Sequence, residues 1–171
     1  MKKYIFIAFY FLFLSTMAVA NEQDVYLSAG VSSHELESIE GNKISALFGA
    51  RNYYQHNWFL GGELEGSYID YDTKDINESY SLGANIPMGK RFYFSDDSSI
   101  DIYGLIGYSM TDLNFKRKNS TLHGLKWGLG TDVSFSDFMV GVRWTQAELG
   151  DDDNQDKLRE KNITLLVGYK F

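Results

Sequence analysis

The sequence predicts an all-β protein, an eight-stranded antiparallel up-and-down transmembrane β-barrel. Three observations carry that prediction. Apolar and polar residues alternate in eight separate segments, the signature of strands. After the N-terminal stretch no segment is apolar for long enough to make a membrane helix. The composition favours strands, with 12 tyrosines, 12 phenylalanines and 16 glycines against a single proline.

The chain opens "MKKYIFIAFYFLFLSTMAVA": two lysines, an apolar run from Tyr4 to Leu14, and small residues at Ala18 and Ala20. This is the layout of a secretory signal peptide, and the run is shorter than the roughly 20 residues that a span needs. The expected organisation is a signal peptide over residues 1–20 and one barrel domain over residues 21–171. Removing the signal takes Lys2 and Lys3 with it, leaving 14 basic and 23 acidic residues, so the charge becomes 14 − 23 = −9. That balance argues against nucleic acid as a partner. With no cysteine in an exported chain, a disulfide framework is excluded.

The first strand runs from about Asp24 to Ser33, with Val25, Leu27, Ala29 and Val31 on one face and Tyr26, Ser28, Gly30 and Ser32 on the other. The second, near Lys43 to Asn52, sets Ile44, Ala46, Phe48 and Ala50 against Ser45, Gly49 and Arg51. After the short "YYQHN" turn, the third opposes Leu60, Gly62, Leu64, Gly66 and Tyr68 to Gly61, Glu63, Glu65 and Ser67. The fourth carries Tyr80, Leu82, Ala84, Ile86 and Met88, and the fifth, beyond "SDDSS", carries Ile100, Ile102, Ile106, Tyr108 and Met110 opposite Asp101, Tyr103, Gly107 and Ser109. Leu125 to Phe135 forms the sixth, with Lys126, Gly128, Gly130 and Asp132 on its polar face. A tight turn at Ser136 and Asp137 leads to the seventh, Phe138 to Trp144, with Arg143 on the polar face. "NITLLVGYKF" is the eighth.

The apolar face is bulky in every strand and the other face is mostly small, which suits lipid outside and a cramped lumen inside. Aromatics gather in two belts, Tyr53, Tyr54, Trp58, Phe92, Phe94, Phe135, Phe138, Tyr169 and Phe171 at one rim and Tyr68, Tyr71, Tyr80 and Trp144 at the other, as membrane barrels place them. Short turns alternate with long polar loops expected at 35–42, 70–78, 112–121 and 147–161. Pro87 predicts a bulge, or a strand boundary displaced by a residue or two, because a closed barrel has no edge on which to place a missing N–H.

The stretches "VYLSAGVS", "FGARNYY", "DIYGLIGYS", "LKWGLGTDVSFSD" and "LLVGYKF", in that order, resemble the small eight-stranded outer-membrane barrels of Gram-negative bacteria, the OmpA/OmpX-type family. The resemblance implies a monomer in the cell outer membrane, among outer-membrane lipids and lipopolysaccharide, with both termini periplasmic. It implies that Tyr169 and Phe171 act as the signal read by the outer-membrane assembly machinery. It also implies a surface role such as adhesion to host surface molecules, defence, or envelope maintenance.

Candidate chemistry is sparse. His34 follows Ser32 and His123 follows Ser120, but the His-x-Ser-Asn order of the lipid A deacylases is absent. The three histidines lack metal-ligand spacing, and "ELGDDDNQD" lacks the pattern of a calcium loop. No cofactor and no enzymatic activity is expected; a narrow channel and a lipid A-modifying enzyme are the alternatives. By parity Arg51, Glu63, Glu65, Lys126, Asp132 and Arg143 point inward, three of each sign. Charges in a narrow lumen should pair, with Arg143 expected at the hub opposite Glu63. The basic run Lys116, Arg117 and Lys118 is the candidate loop-binding site, facing either acidic loop residues or an external anion.

Overall fold

The computed structural model describes residues 22–73, 76, 79–114, 119–151 and 154–171. The proposed signal peptide, residues 1–20, and the basic run Lys116 to Lys118 lie outside the described residues.

Eight strands close into one antiparallel barrel in chain order: β1 (Glu22–Leu36), β2 (Ile39–Tyr53), β3 (Trp58–Tyr71), β4 (Ser79–Ser95), β5 (Ser98–Asn114), β6 (Asn119–Phe135), β7 (Phe138–Asp151) and β8 (Asn154–Lys170). β8 pairs with β1 from Tyr26↔Lys170 to Leu36↔Glu160, so the last predicted strand closes the sheet. Both ends of the described chain lie at the same rim, here called proximal, which also holds the turns at Asp96–Asp97 and Ser136–Asp137 and a 3-10 turn at Gln55–Asn57. The opposite rim is distal.

Period-2 alternation is realised as an inside-out protein. Leu82 is 68% exposed and Leu125 is 73% exposed, values that only a lipid environment makes favourable for rows of large apolar side chains. Facing inward, two glycines make room for rings: a Cβ on Gly49 would stand 2.6 Å from the Tyr26 ring, and one on Gly130 2.5 Å from that of Tyr103. Tyr26 and Tyr103 therefore lie along the lumen wall, each over the glycine paired with it on the next strand.

Three expectations are corrected. Segments 35–42 and 147–161 are mostly strand: β1 and β2 pair up to Leu36↔Ile39, leaving Glu37 and Ser38 as the turn, and β7 and β8 pair up to Asp151↔Asn154. A 17-residue strand at the usual tilt rises roughly 40 Å, against roughly 25 Å of apolar band. The excess projects distally, where the outward residues turn polar at Glu40, Asp70, Asp112 and Glu148. Inside this extension the lumen becomes apolar, with Leu36, Ile69, Tyr71, Ile76, Leu113, Leu122, Ala147 and Leu149 in one buried cluster. Second, Tyr53 and Tyr71 are not belt residues; both are buried and point inward. Third, Pro87 causes no bulge. The β3–β4 register is the same on both sides of it, Leu60↔Met88 and Glu63↔Asn85, and only the pairing between those points is interrupted. Gly61 stands opposite, where a Cβ would come within 3.0 Å of the Pro87 ring.

Candidate functional site

The lumen is filled from the proximal end upward by paired charges. Arg51, on β2, donates to Asp101 at 2.8 Å and to Asp132 at 2.5 Å, and lies 3.7 Å from Glu63. Its guanidinium is packed by the rings of Tyr26, Phe59 and Tyr103, with centroids 4.9, 5.0 and 4.7 Å away. Arg91 donates to the second oxygen of Asp101 at 2.7 Å and to Asp24 at 2.7 Å, and meets Tyr53 both through its hydroxyl and across its ring. Lys170 stands 3.6 Å from Asp24 and closes the proximal mouth.

Above that layer Arg143 grips Glu63 with two parallel bonds of 2.8 and 2.9 Å, the fork geometry that makes arginine–carboxylate pairs strong. Tyr26 donates to the same carboxylate. Arg143 thus holds one carboxylate where Arg51 touches three, so the hub is Arg51 and not Arg143. Next, Glu65 bridges Lys43 at 2.9 Å and Lys126 at 2.7 Å. His34 follows, bonded through Nδ1 to Asn162 at 2.7 Å and through Nε2 to Tyr71 at 3.1 Å, with Glu160 3.6 Å away. The apolar cluster caps this stack.

All six inward charges read from the sequence are therefore in the lumen, each with an opposite partner. Among the described residues six further charges share the lumen. Asp24, Lys43, Asp101 and Lys170 have the inward parity of their expected strands and are legible there; Arg91 and Glu160 fall beyond the expected strand ends. Balance survives their addition, with Lys43, Arg51, Arg91, Lys126, Arg143 and Lys170 facing Asp24, Glu63, Glu65, Asp101, Asp132 and Glu160. Between the middle and upper pairs lies a cavity of about 10 Å³ lined by Lys43, Glu65, Arg143 and Asn162. That is room for about one water molecule.

Arg143→Met should cost about 3 to 5 kcal/mol, because it removes both directed bonds to the buried Glu63 carboxylate and leaves it the Tyr26 hydroxyl and Arg51 at 3.7 Å. Adding Glu63→Gln should recover part of the loss. Equilibrium unfolding in detergent micelles checks both; an unchanged Arg143→Met barrel would mean the lumen is wet enough to solvate Glu63.

The paired serines and histidines are not joined. Ser32 bonds Thr164 at 2.8 Å and Ser120 donates to Asp151, while His123 bonds Tyr108 on the outer wall at 2.5 Å. Tyr169 and Phe171 project outward at the proximal rim, where Tyr169 sits between the rings of Phe138 and Phe171 at 5.5 and 5.4 Å.

A family model described as an outer membrane protein beta-barrel domain matches residues 5–171. No curated protein matches the chain by sequence. Among solved structures, Neisserial surface protein A is similar with a TM-score of 0.62 and 13% identity, over 87% of this chain and 97% of that one. The outer membrane enzyme PagL gives 0.59 and 16%, over 84% and 98%. Ail, the attachment invasion locus protein of Yersinia pestis, in complex with the heparin analogue sucrose octasulfate, gives 0.56 and 13%, over 87% and 97%. At these identities the likeness is one of fold.

Proposed function

This chain belongs to the outer membrane protein β-barrel family, and from that premise we propose that it is a surface-interaction protein working from its distal end, with the barrel as a closed support. In this reading the proximal rim and both termini face the periplasm. The observation that carries the proposal is the filled lumen: charges of both signs stacked in pairs, a cavity among them with room for about one water, and an apolar cap. A conducting pore needs a continuous wet path, commonly lined by one sign of charge. Single-channel recordings in planar bilayers should therefore show no conductance steps, and regular steps would turn the reading toward a channel.

The distal surface has a definite chemistry. Without Glu160, which is buried in the lumen, segments 35–42, 70–78, 112–121 and 147–161 together hold 7 basic and 13 acidic residues, 7 − 13 = −6 of the mature −9. Most of it therefore suits a cationic or cation-bridged partner, and only Lys116, Arg117 and Lys118 offer a run for a polyanion, of which the sulfated sugar bound by Ail is a small example. Replacing those three with glutamine should abolish retention on heparin at low salt. Unchanged retention would remove that run from any binding role. The function itself is tested by comparing host-surface binding of cells displaying the parent with cells whose barrel has its distal hairpins trimmed to tight turns. Equal binding would defeat the surface role and leave envelope maintenance as the working account.

A further inference from the structure

Proximal to the level at which the outward residues turn polar, the outer face of the strands carries one charged side chain among the described residues, Lys90 on β4. Trp58, the first residue of β3, stands opposite it in the register. The Lys90 Nζ lies 5.8 Å from the centre of the Trp58 ring and 5.5 Å from that of Phe92, two residues nearer the rim, so the ammonium is held against two aromatic faces. Protein covers neither ring, which are 55% and 44% exposed. No carboxylate pairs with Lys90 among the described residues, although Asp96 and Asp97 occupy the turn at the end of its strand. The turn beside Trp58, Gln55–Asn57, has no acidic residue. The wall around the site, residues 52–60 and 88–102, lies wholly within the described residues.

We propose that Lys90, Trp58 and Phe92 form a site for the phosphate of an anionic glycerophospholipid, of the phosphatidylglycerol class, in the periplasmic leaflet. An ammonium without a counterion on a lipid-facing wall is destabilising, increasingly so with depth. The long lysine stem carries the charge to the level of the headgroups, where the anion that a bilayer presents is lipid phosphate. Trp58 adds a second donor, an indole N–H that bonds to no described residue. Net charge then selects the head. In a zwitterionic phospholipid the head's own ammonium competes with Lys90 for the phosphate oxygens, whereas an anionic head leaves them to the protein. The proposal rests on the orientation given above, with the proximal rim periplasmic, and is independent of the surface-interaction role.

The test reads Trp58 fluorescence in bilayers that mix phosphatidylglycerol with phosphatidylethanolamine, with bromine, a contact quencher, on the acyl chains of one lipid at a time. Trp127→Phe and Trp144→Phe, introduced into the parent and every variant, leave Trp58 as the sole tryptophan. Phosphatidylglycerol should be preferred at Trp58 by about two- to fivefold at low salt, the scale of one exposed charge pair at a membrane surface, and by less as salt rises. Lys90→Arg should keep the preference. Lys90→Gln, a neutral change on a lipid-facing position, should fold, as judged by heat-modifiable migration, and lose it. Equal quenching by the two lipids in the parent, or a preference that Lys90→Gln retains, overturns the proposal. Orientation is read separately through His56→Cys, which creates the chain's only cysteine. That thiol should be closed to an impermeant maleimide in intact cells and open once the outer membrane is permeabilised. Labelling in intact cells would put Lys90 among lipopolysaccharide phosphates and overturn the periplasmic assignment through the orientation, whereas lost lipid preference with the expected labelling faults the site alone.

Discussion

Arg51→Met should be the most damaging single substitution in the lumen, lowering unfolding free energy in detergent micelles by about 3 to 5 kcal/mol or more. The guanidinium is 1% exposed and touches Asp101, Asp132 and Glu63 at once. Methionine can fill the space among Tyr26, Phe59 and Tyr103 but cannot neutralise a carboxylate. Asp101 would keep Arg91 and Glu63 would keep Arg143, whereas Asp132 would be left with the Tyr103 hydroxyl at 3.1 Å. Asp132→Asn in the same chain should therefore recover part of the loss, and Asp101→Asn should recover less. Arg51→Lys should stay well below the parent, because a point charge cannot reproduce two directed bonds within a stack of rings. A single variant within roughly 0.5 kcal/mol of the parent, the range of ordinary surface changes, would show that the hub is not a hub.

Leu149→Asp should have the second largest effect, and it should be confined to one end. Leu149 is 0% exposed at the centre of the distal cluster, where a carboxylate would find apolar neighbours and no described cation in that cluster. Burying a charge without a partner costs several kcal/mol, more than trimming to alanine, for which about 2 to 5 kcal/mol is usual. The apolar band below still has its lipid contacts and its lumen pairs, so the barrel should remain inserted while the extension opens. Hydrogen exchange reads this directly. Distal amides of β5 to β8 should lose protection and those of the band should keep it. Unchanged distal protection would mean that the cluster does not hold the extension together.

The sequence by itself determined the architecture of the band. Within it a period of 2 with lipid on one side leaves little freedom: Leu27, Ala29 and Val31 face out, so Tyr26, Ser28 and Ser32 face in, and the same parity sent Arg51, Glu63, Glu65, Lys126, Asp132 and Arg143 to the lumen. It also paired Arg143 with Glu63 correctly. The strand ends were not legible for a physical reason. Where a strand leaves the membrane its surroundings change from lipid to water, and the apolar set moves from the outer face to the inner one. On β1 the outward Val31 gives way to the inward Leu36; on β3 the outward Leu64 gives way to the inward Ile69; on β5 the outward Met110 gives way to the inward Leu113. In a single alternating pattern that change of phase looks like the end of a strand, so the extension has the pattern of loops. Which lumen charges meet was decided only by the closed barrel. Arg51 reaches Asp101 and Asp132 across 50 and 81 residues of chain, a juxtaposition set by the stagger of eight strands around a common axis, and no spacing in the sequence encodes that stagger locally.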